Sequence, residues 1–299
     1  MGFSVGPQIP EAKARWPGSS CVSFQHIQVP RPFRLVERTG RSTGVIEPLE
    51  AVLIVVAGLG AGTVNSIVGS GSLITFPTLV LLGFPPLVAN VTNTVGMVSG
   101  SISGAVGYRR ELAGQRSRAL PLLAAGGAGG ISGALLLFVL PAAAFRAIVP
   151  VLILGACFLV AVQPRLSAWV VARRRASGRP HGEVGWVLPV LVLITGIYGG
   201  YFGAAQGVIL IAVLSTLVND DLQRLNGLKN AITAIVNGVA AVLFLLVAPV
   251  DLSAAILVAV GSTIGGLAGA RIGRRLSPTV LRGIIVVVGV AVATRLLVG

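Results

Sequence analysis

From Leu49 to the end, the chain alternates long apolar runs with short polar breaks, without the every-other-residue pattern of a half-buried strand. Ten runs stand out: 49–68, 71–83, 90–108, 119–140, 143–163, 185–203, 207–218, 226–248, 252–274 and 279–298. Eight approach the roughly 20 residues that carry a helix across a bilayer. The other two, 71–83 and 207–218, are too short to span upright unaided. Helices satisfy their own backbone groups in lipid, and the runs lack the dyad alternation of a transmembrane barrel. The pattern predicts an all-α, polytopic helical membrane protein with eight long helices and two short broken ones.

The short runs stand second in each half, and a constant shift relates the halves. Gly71 matches Gly207, Asn90 matches Asn226, Gly129-Gly130 matches Gly265-Gly266, Gly133-Ala134 matches Gly269-Ala270, and Arg146 matches Arg282, all at 226 − 90 = 136. Such a string at one shift indicates an internal duplication. Five segments per half is an odd number, so the copies are expected to be inverted, as in secondary transporters. The organisation expected is a first transmembrane repeat at 49–163, a basic cytoplasmic connector at 164–184 and a second repeat at 185–299. Residues 1–48, polar and without an apolar core, are expected to be a disordered tail. They are alternatively the product of a mis-called start; no methionine lies between Met1 and Met97.

Composition supports the membrane reading: 54% of residues are hydrophobic and only 11% charged, where soluble domains run about 25% charged. The net charge of +14 does not point to nucleic acid, because the positives cluster in breaks between apolar runs. Arg109, Arg110, Arg116 and Arg118, then Arg165 and Arg173 to Arg175, then Arg271, Arg274 and Arg275, follow the third, fifth and ninth segments. With ten crossings, all three clusters fall on the cytoplasmic side of a bacterial inner membrane, with both termini outside. Trp169 and Trp186 flank the connector, where interfacial aromatics are expected. Cys21 and Cys157 form no disulfide or metal framework, and neither a metal nor a cofactor is expected.

None of the nine acids lies mid-segment, which excludes paired-carboxylate hydrolysis and the carboxylate relay of many pumps. An enzyme is not expected. What remains is uncharged polarity gathered at the short runs: Ser70, Gly71 and Ser72, then Asn90, Thr92 and Asn93, and in the second half Gln206 and Gly207, then Asn226, Lys229 and Asn230. Helix starts favour anions through unpaired N–H groups and the positive end of the dipole. Two inverted starts are expected to converge near mid-membrane, with Asn90 and Asn226 close together and Lys229 balancing substrate charge. Simpler roles compete: the Gly-Ser string for helix packing, Asn90 and Asn226 as N-caps, and Lys229 snorkelling to an interface. Gly96, Gly100 and Gly104, with Gly265, Gly269 and Gly273, form four-residue ladders suited to close helix contact.

At these residues the chain resembles the sulfite exporter TauE/SafE family of membrane permeases. The resemblance runs through Gly69-Ser-Gly-Ser-Leu-Ile-Thr-Phe-Pro77, Leu82-Gly-Phe-Pro-Pro86, Ala89-Asn-Val-Thr-Asn93 and Gly107-Tyr-Arg-Arg-Glu-Leu112, then Tyr198-Gly-Gly-Tyr-Phe-Gly203 and Leu225-Asn-Gly-Leu-Lys-Asn230. It covers about 49–298 and implies export or exchange of a small anion, such as sulfite or an organosulfonate. Proton or sodium would serve as coupling ion and lipid as the surrounding partner. A passive anion channel and a non-transporting membrane scaffold are the other classes this sequence admits. Substrate, direction, coupling and oligomeric state are not specified by it.

Overall fold

A computed structural model describes residues 46–177, 185–272 and 278–298. Residues 1–45 of the expected tail, and Gly273, Arg274 and Arg275, lie outside the described residues. The elements are α1 (Pro48–Ile67), α2 (Ser72–Leu81), α3 (Pro86–Gly107), α4 (Arg109–Leu112), α5 (Arg116–Val139), α6 (Ala142–Ser177), α7 (Val187–Tyr201), α8 (Gln206–Leu217), α9 (Leu222–Val247), α10 (Leu252–Ile272) and α11 (Pro278–Val298). No strand occurs among the described residues. Ten of these helices correspond to the ten runs, and α4 is an extra turn. Among the described residues, five are long and apolar enough to cross a membrane: α1, α5, the 143–165 part of α6, α9 and α10.

Local chemistry sets the boundaries. α1 opens on a Glu47/Glu50 capping box with Pro48 in its first turn. α9 opens on Asp221, whose carboxylate accepts from Gln223 N–H at 2.9 Å. α3 starts at Pro86 and α9 at Leu222, so Asn90 and Asn226 stand one turn inside their helices and are not N-caps. α7 is 15 residues long, shorter than its run, because Tyr201 ends it ahead of Gly203 at φ 75°. α6 continues as helix through residues 164–177, so most of the connector is a helical extension.

Small residues determine the helix contacts. A Cβ on Gly58 would sit 2.9 Å from Val258 O, and one on Gly62 2.2 Å from Ser262 O, so α1 and α10 run parallel. Gly96 and Gly100 of α3 face Val258 and Ser262, making α3 parallel to both. On the other side, Gly129 and Gly133 of α5 face Leu193 and Ile197 of α7, while Gly126 and Gly130 face Ile232 and Val236 of α9. α5, α7 and α9 are therefore parallel to one another. The two triplets oppose each other: Ser101 of α3 bonds Asn237 of α9, while Gly104, further along α3, meets Asn230, further back on α9.

Each triplet borrows a helix. α10 of the second repeat packs between α1 and α3, and α5 of the first between α7 and α9. Exchanging the repeats maps one triplet onto the other with its direction reversed, which is the inverted duplication. Polarity is inside-out relative to a soluble protein: Asn90, Thr92, Asn93, Gln206, Lys229 and Asn230 are buried, whereas Val56, Val139, Val151, Phe158, Leu246 and Ile256 are exposed. Lipid accounts for that outer surface.

The shift of 136 is not uniform. Val68 and Gly69 N–H both donate to Val64 O, as Phe202 and Gly203 N–H both donate to Tyr198 O, a correspondence of 203 − 69 = 134. The shift becomes 136 from α3 onward because α8 has 12 residues and α2 only 10. Gly71 and Gly207 are therefore not backbone equivalents; Gly69 and Gly203, at φ 90° and 75°, are.

Candidate functional site

The chain breaks after α1 and after α7 for the same reason. A left-handed residue turns the backbone, the last N–H groups fold back on one carbonyl, and a short helix begins a few residues later. Glycine fits the left-handed position without a Cβ clash. The two breaks meet. Gly207 N–H donates to Gly69 O at 2.9 Å, and a Cβ on either glycine would lie 2.4 Å from the other's Cα. The starts of α2 and α8 thus converge, as expected. Phe76 of α2 packs edge-on against Phe202 of the second break, ring centroids 5.4 Å apart.

Beside that contact sit polar groups with nothing to bond. Ser70 and Gln206 are each 1% exposed. The Ser70 hydroxyl and both amide atoms of Gln206 have no hydrogen-bond partner among the described residues. The Gln206 amide packs on Gly199, where a Cβ would lie 2.4 Å from its Oε1. Unpaired buried groups of this kind cost roughly 1–3 kcal/mol each. Gly71 ends the first break against α1, its Cβ position 2.2 Å from Ala61 O, and Ser72 opens α2 half-buried.

The asparagines and the lysine serve the helix ends. Lys229 Nζ donates to Asn65 O at 2.9 Å and Ser66 O at 3.1 Å, and Asn230 Nδ2 donates to Ser66 O at 3.1 Å. These are last-turn carbonyls of α1, which lack intrahelical donors. Lys229 is 1% exposed, so it does not snorkel. At the other break, Asn90 Nδ2 donates to Tyr201 O at 3.1 Å, and Asn93 Oδ1 accepts from the Thr75 hydroxyl. The Oδ1 atoms of Asn90, Asn226 and Asn230 have no partner among the described residues.

Two expectations are corrected. Asn90 and Asn226 do not converge. Gly227 lies against Tyr108 and Leu112, so Asn226 sits at the far end of α3 from Asn90, on the order of 25 Å away at 1.5 Å per helical residue. The antiparallel crossing of α3 and α9 at Ser101 and Asn237 puts the two asparagines on opposite sides of it. Thr92 is also apart from the breaks: its hydroxyl accepts from Asp251 N–H at 3.0 Å, before the start of α10.

Asn65, Ser101 and Asn237 complete the centre. Asn65 Nδ2 and Asn237 Nδ2 both donate to Ser101 Oγ, each at 3.2 Å. The pair Ser101 and Asn237 obeys the 136 shift and was discoverable from it. Toward the basic end, Asp220 joins Arg118 at the start of α5 to Arg224 of α9, both at 2.8 Å. Burial pushes the Asp220 carboxyl up, but the bonds from Arg118, Asp221 N–H and Arg224 outweigh it and hold it below its usual range.

A family model described as sulfite exporter TauE/SafE matches residues 54–296. The chain is 27% identical over 244 residues to a probable membrane transporter protein, ORF9, of a Sinorhizobium species, covering 81% of this chain and 90% of that one. It is 27% identical over 259 residues to the probable membrane transporter protein YfcA of Escherichia coli K12, covering 87% and 94%. A probable membrane transporter protein of Haemophilus influenzae is 27% identical over 248 residues, covering 83% and 94%. No solved structure matches the chain significantly. The names of the family and of these relatives indicate membrane transporters rather than enzymes.

Proposed function

The chain belongs to the sulfite exporter TauE/SafE family, and from that premise we propose that it is a secondary carrier exporting or exchanging a small oxyanion, sulfite or an organosulfonate. The anion sits where α2 and α8 begin. Its charge is met by two helix starts and by the nearby Lys229; its oxygens are met by the Ser70 hydroxyl and the Gln206 amide. The observation that carries this reading is the pair of unpartnered side chains, Ser70 and Gln206, flanking the Gly69–Gly207 contact.

Carrier is favoured over passive channel by burial. Ser70 and Gln206 at 1% exposure are closed to both faces, as an alternating-access site is between its two open forms. Rocking one repeat against the other about the contact would open it to either side.

Purified protein in liposomes loaded with sulfite tests this. Saturable efflux, accelerated by sulfite on the opposite side, is the expected result. Flux that never saturates and shows no counterflow would indicate a channel; no flux of sulfite or sulfonate under any ion gradient would end the substrate assignment.

A further inference from the structure

The two helix ends at the breaks are twins by the 134 shift, yet they are finished differently. At the end of α1, the carbonyls of Asn65 and Ser66 receive Lys229 Nζ. Their counterparts at the end of α7 are the carbonyls of Gly199 and Gly200 (65 + 134 and 66 + 134), both on buried residues. The counterpart of Lys229 at the 136 shift is Asn93, which is neutral and engaged with Thr75. No hydrogen bond reaches Gly199 O or Gly200 O among the described residues, because Phe202 and Gly203 N–H fold back onto Tyr198 O.

Further unsatisfied oxygens lie at the same end. Asn90, 1% exposed, is fixed there by its bond to Tyr201 O and leaves its Oδ1 unpartnered. The Gln206 amide, also 1% exposed, packs on Gly199 and leaves Oε1 unpartnered. Two carbonyls and two amide oxygens, all neutral, stand at the negative end of a helix dipole. In the twin, that position is filled by the Lys229 amine.

We infer that the end of α7 binds a monovalent metal cation, sodium, through Gly199 O, Gly200 O, Asn90 Oδ1 and Gln206 Oε1, in the place that Lys229 Nζ fills at α1. Hard oxygen donors select an alkali or alkaline-earth ion, and the lack of any carboxylate among these four disfavours calcium and magnesium, which are held by acidic ligands. The inference rests on the carrier reading and supplies its coupling ion. Gln206 flanks both places, so sodium and anion would each order the side chain that the other needs.

Sodium binding is read without any anion present. The Tm of the purified full chain in detergent is measured in sodium, potassium and choline chloride at equal ionic strength, alongside Asn93→Lys and Gln206→Leu. Sodium alone is expected to raise the wild-type Tm by at least about 3 °C when well above its Kd. Asn93→Lys, which tethers an amine in the twin position, is expected to lose that response, as is Gln206→Leu. An equal response to all three salts, or a full sodium response in Gln206→Leu, overturns the inference, and neither reading depends on Asn93→Lys folding. Sulfite counterflow in liposomes without a sodium-specific shift would sink the cation site alone. A sodium shift without anion flux would sink the anion-carrier reading alone.

Discussion

Asn237 Nδ2 donates to Ser101 Oγ at 3.2 Å, and these two residues are each other's repeat mates (237 − 101 = 136). A residue bonded to its own mate lies on the axis that relates the repeats. Asn65 Nδ2 reaches the same oxygen, so α1, α3 and α9 are joined on that axis.

Ser101 is fully buried, so Ser101→Ala removes the acceptor of two buried amides at once. A loss of about 1–3 kcal/mol per stranded group predicts a Tm several degrees below wild type. Ser132→Ala is the control, since Ser132 is exposed and its hydroxyl donates to Ala128 O of its own helix. Equal Tm values for the two variants would remove the central role of Ser101.

The Gly69–Gly207 contact makes a sharper demand. Gly69→Ala and Gly207→Ala each place a methyl 2.4 Å from backbone, where no side chain can move aside, and Gly69 also has φ 90°. Both are expected to yield little folded protein by size-exclusion of the detergent extract. Gly60→Ala, with nothing nearer than 3.9 Å, is expected to be neutral or to gain up to about 1 kcal/mol from helix propensity. Normal yields of Gly207→Ala would mean that the breaks separate readily.

The apolar runs and the 136 shift made the helices and their inversion legible, because lipid demands long apolar segments and duplication leaves matched glycines. The meeting of the broken starts was legible too, from the short runs at matching places. The separation of Asn90 from Asn226 was not, since a repeat match says nothing about which side of the axis each copy occupies; only the antiparallel crossing at Ser101 and Asn237 decides it. The partners of Lys229 are backbone carbonyls of Asn65 and Ser66, and backbone acceptors leave no mark in side-chain chemistry. Thr92 was misread because its partner, Asp251 N–H, lies 159 residues away.

α3 runs parallel to α1 and α10, both long and apolar enough to cross a membrane, so its two ends are expected to face opposite sides. In a background with Cys21 and Cys157 replaced by serine, Ala113→Cys is expected to react with an impermeant maleimide only from the cytoplasmic side, where Arg109, Arg110 and Arg116 gather. Leu81→Cys, at the end of α2, is expected to react only from outside; both residues are exposed. Labelling of whole cells against inverted vesicles measures this. Labelling of both positions from one side would contradict the crossing of α3.

Lys229 bears the most specific prediction. It is 1% exposed, with its Nζ on Asn65 O and Ser66 O, so Lys229→Met keeps the length of the side chain while removing both donor and charge. Hydrogen bonds from charged groups contribute about 1.5–3 kcal/mol, and the variant should unfold at lower temperature by a corresponding amount. Lys229→Gln keeps a donor and discards the charge. If the residue only holds the end of α1, Lys229→Gln will transport normally per folded molecule. If its charge also serves the anion between α2 and α8, sulfite flux normalised to folded protein is expected to fall at least about tenfold, a difference of about 1.4 kcal/mol, even where stability is restored by cooling. Wild-type flux in Lys229→Gln would confine Lys229 to capping α1 and leave Ser70, Gln206 and the two helix starts to hold the anion alone.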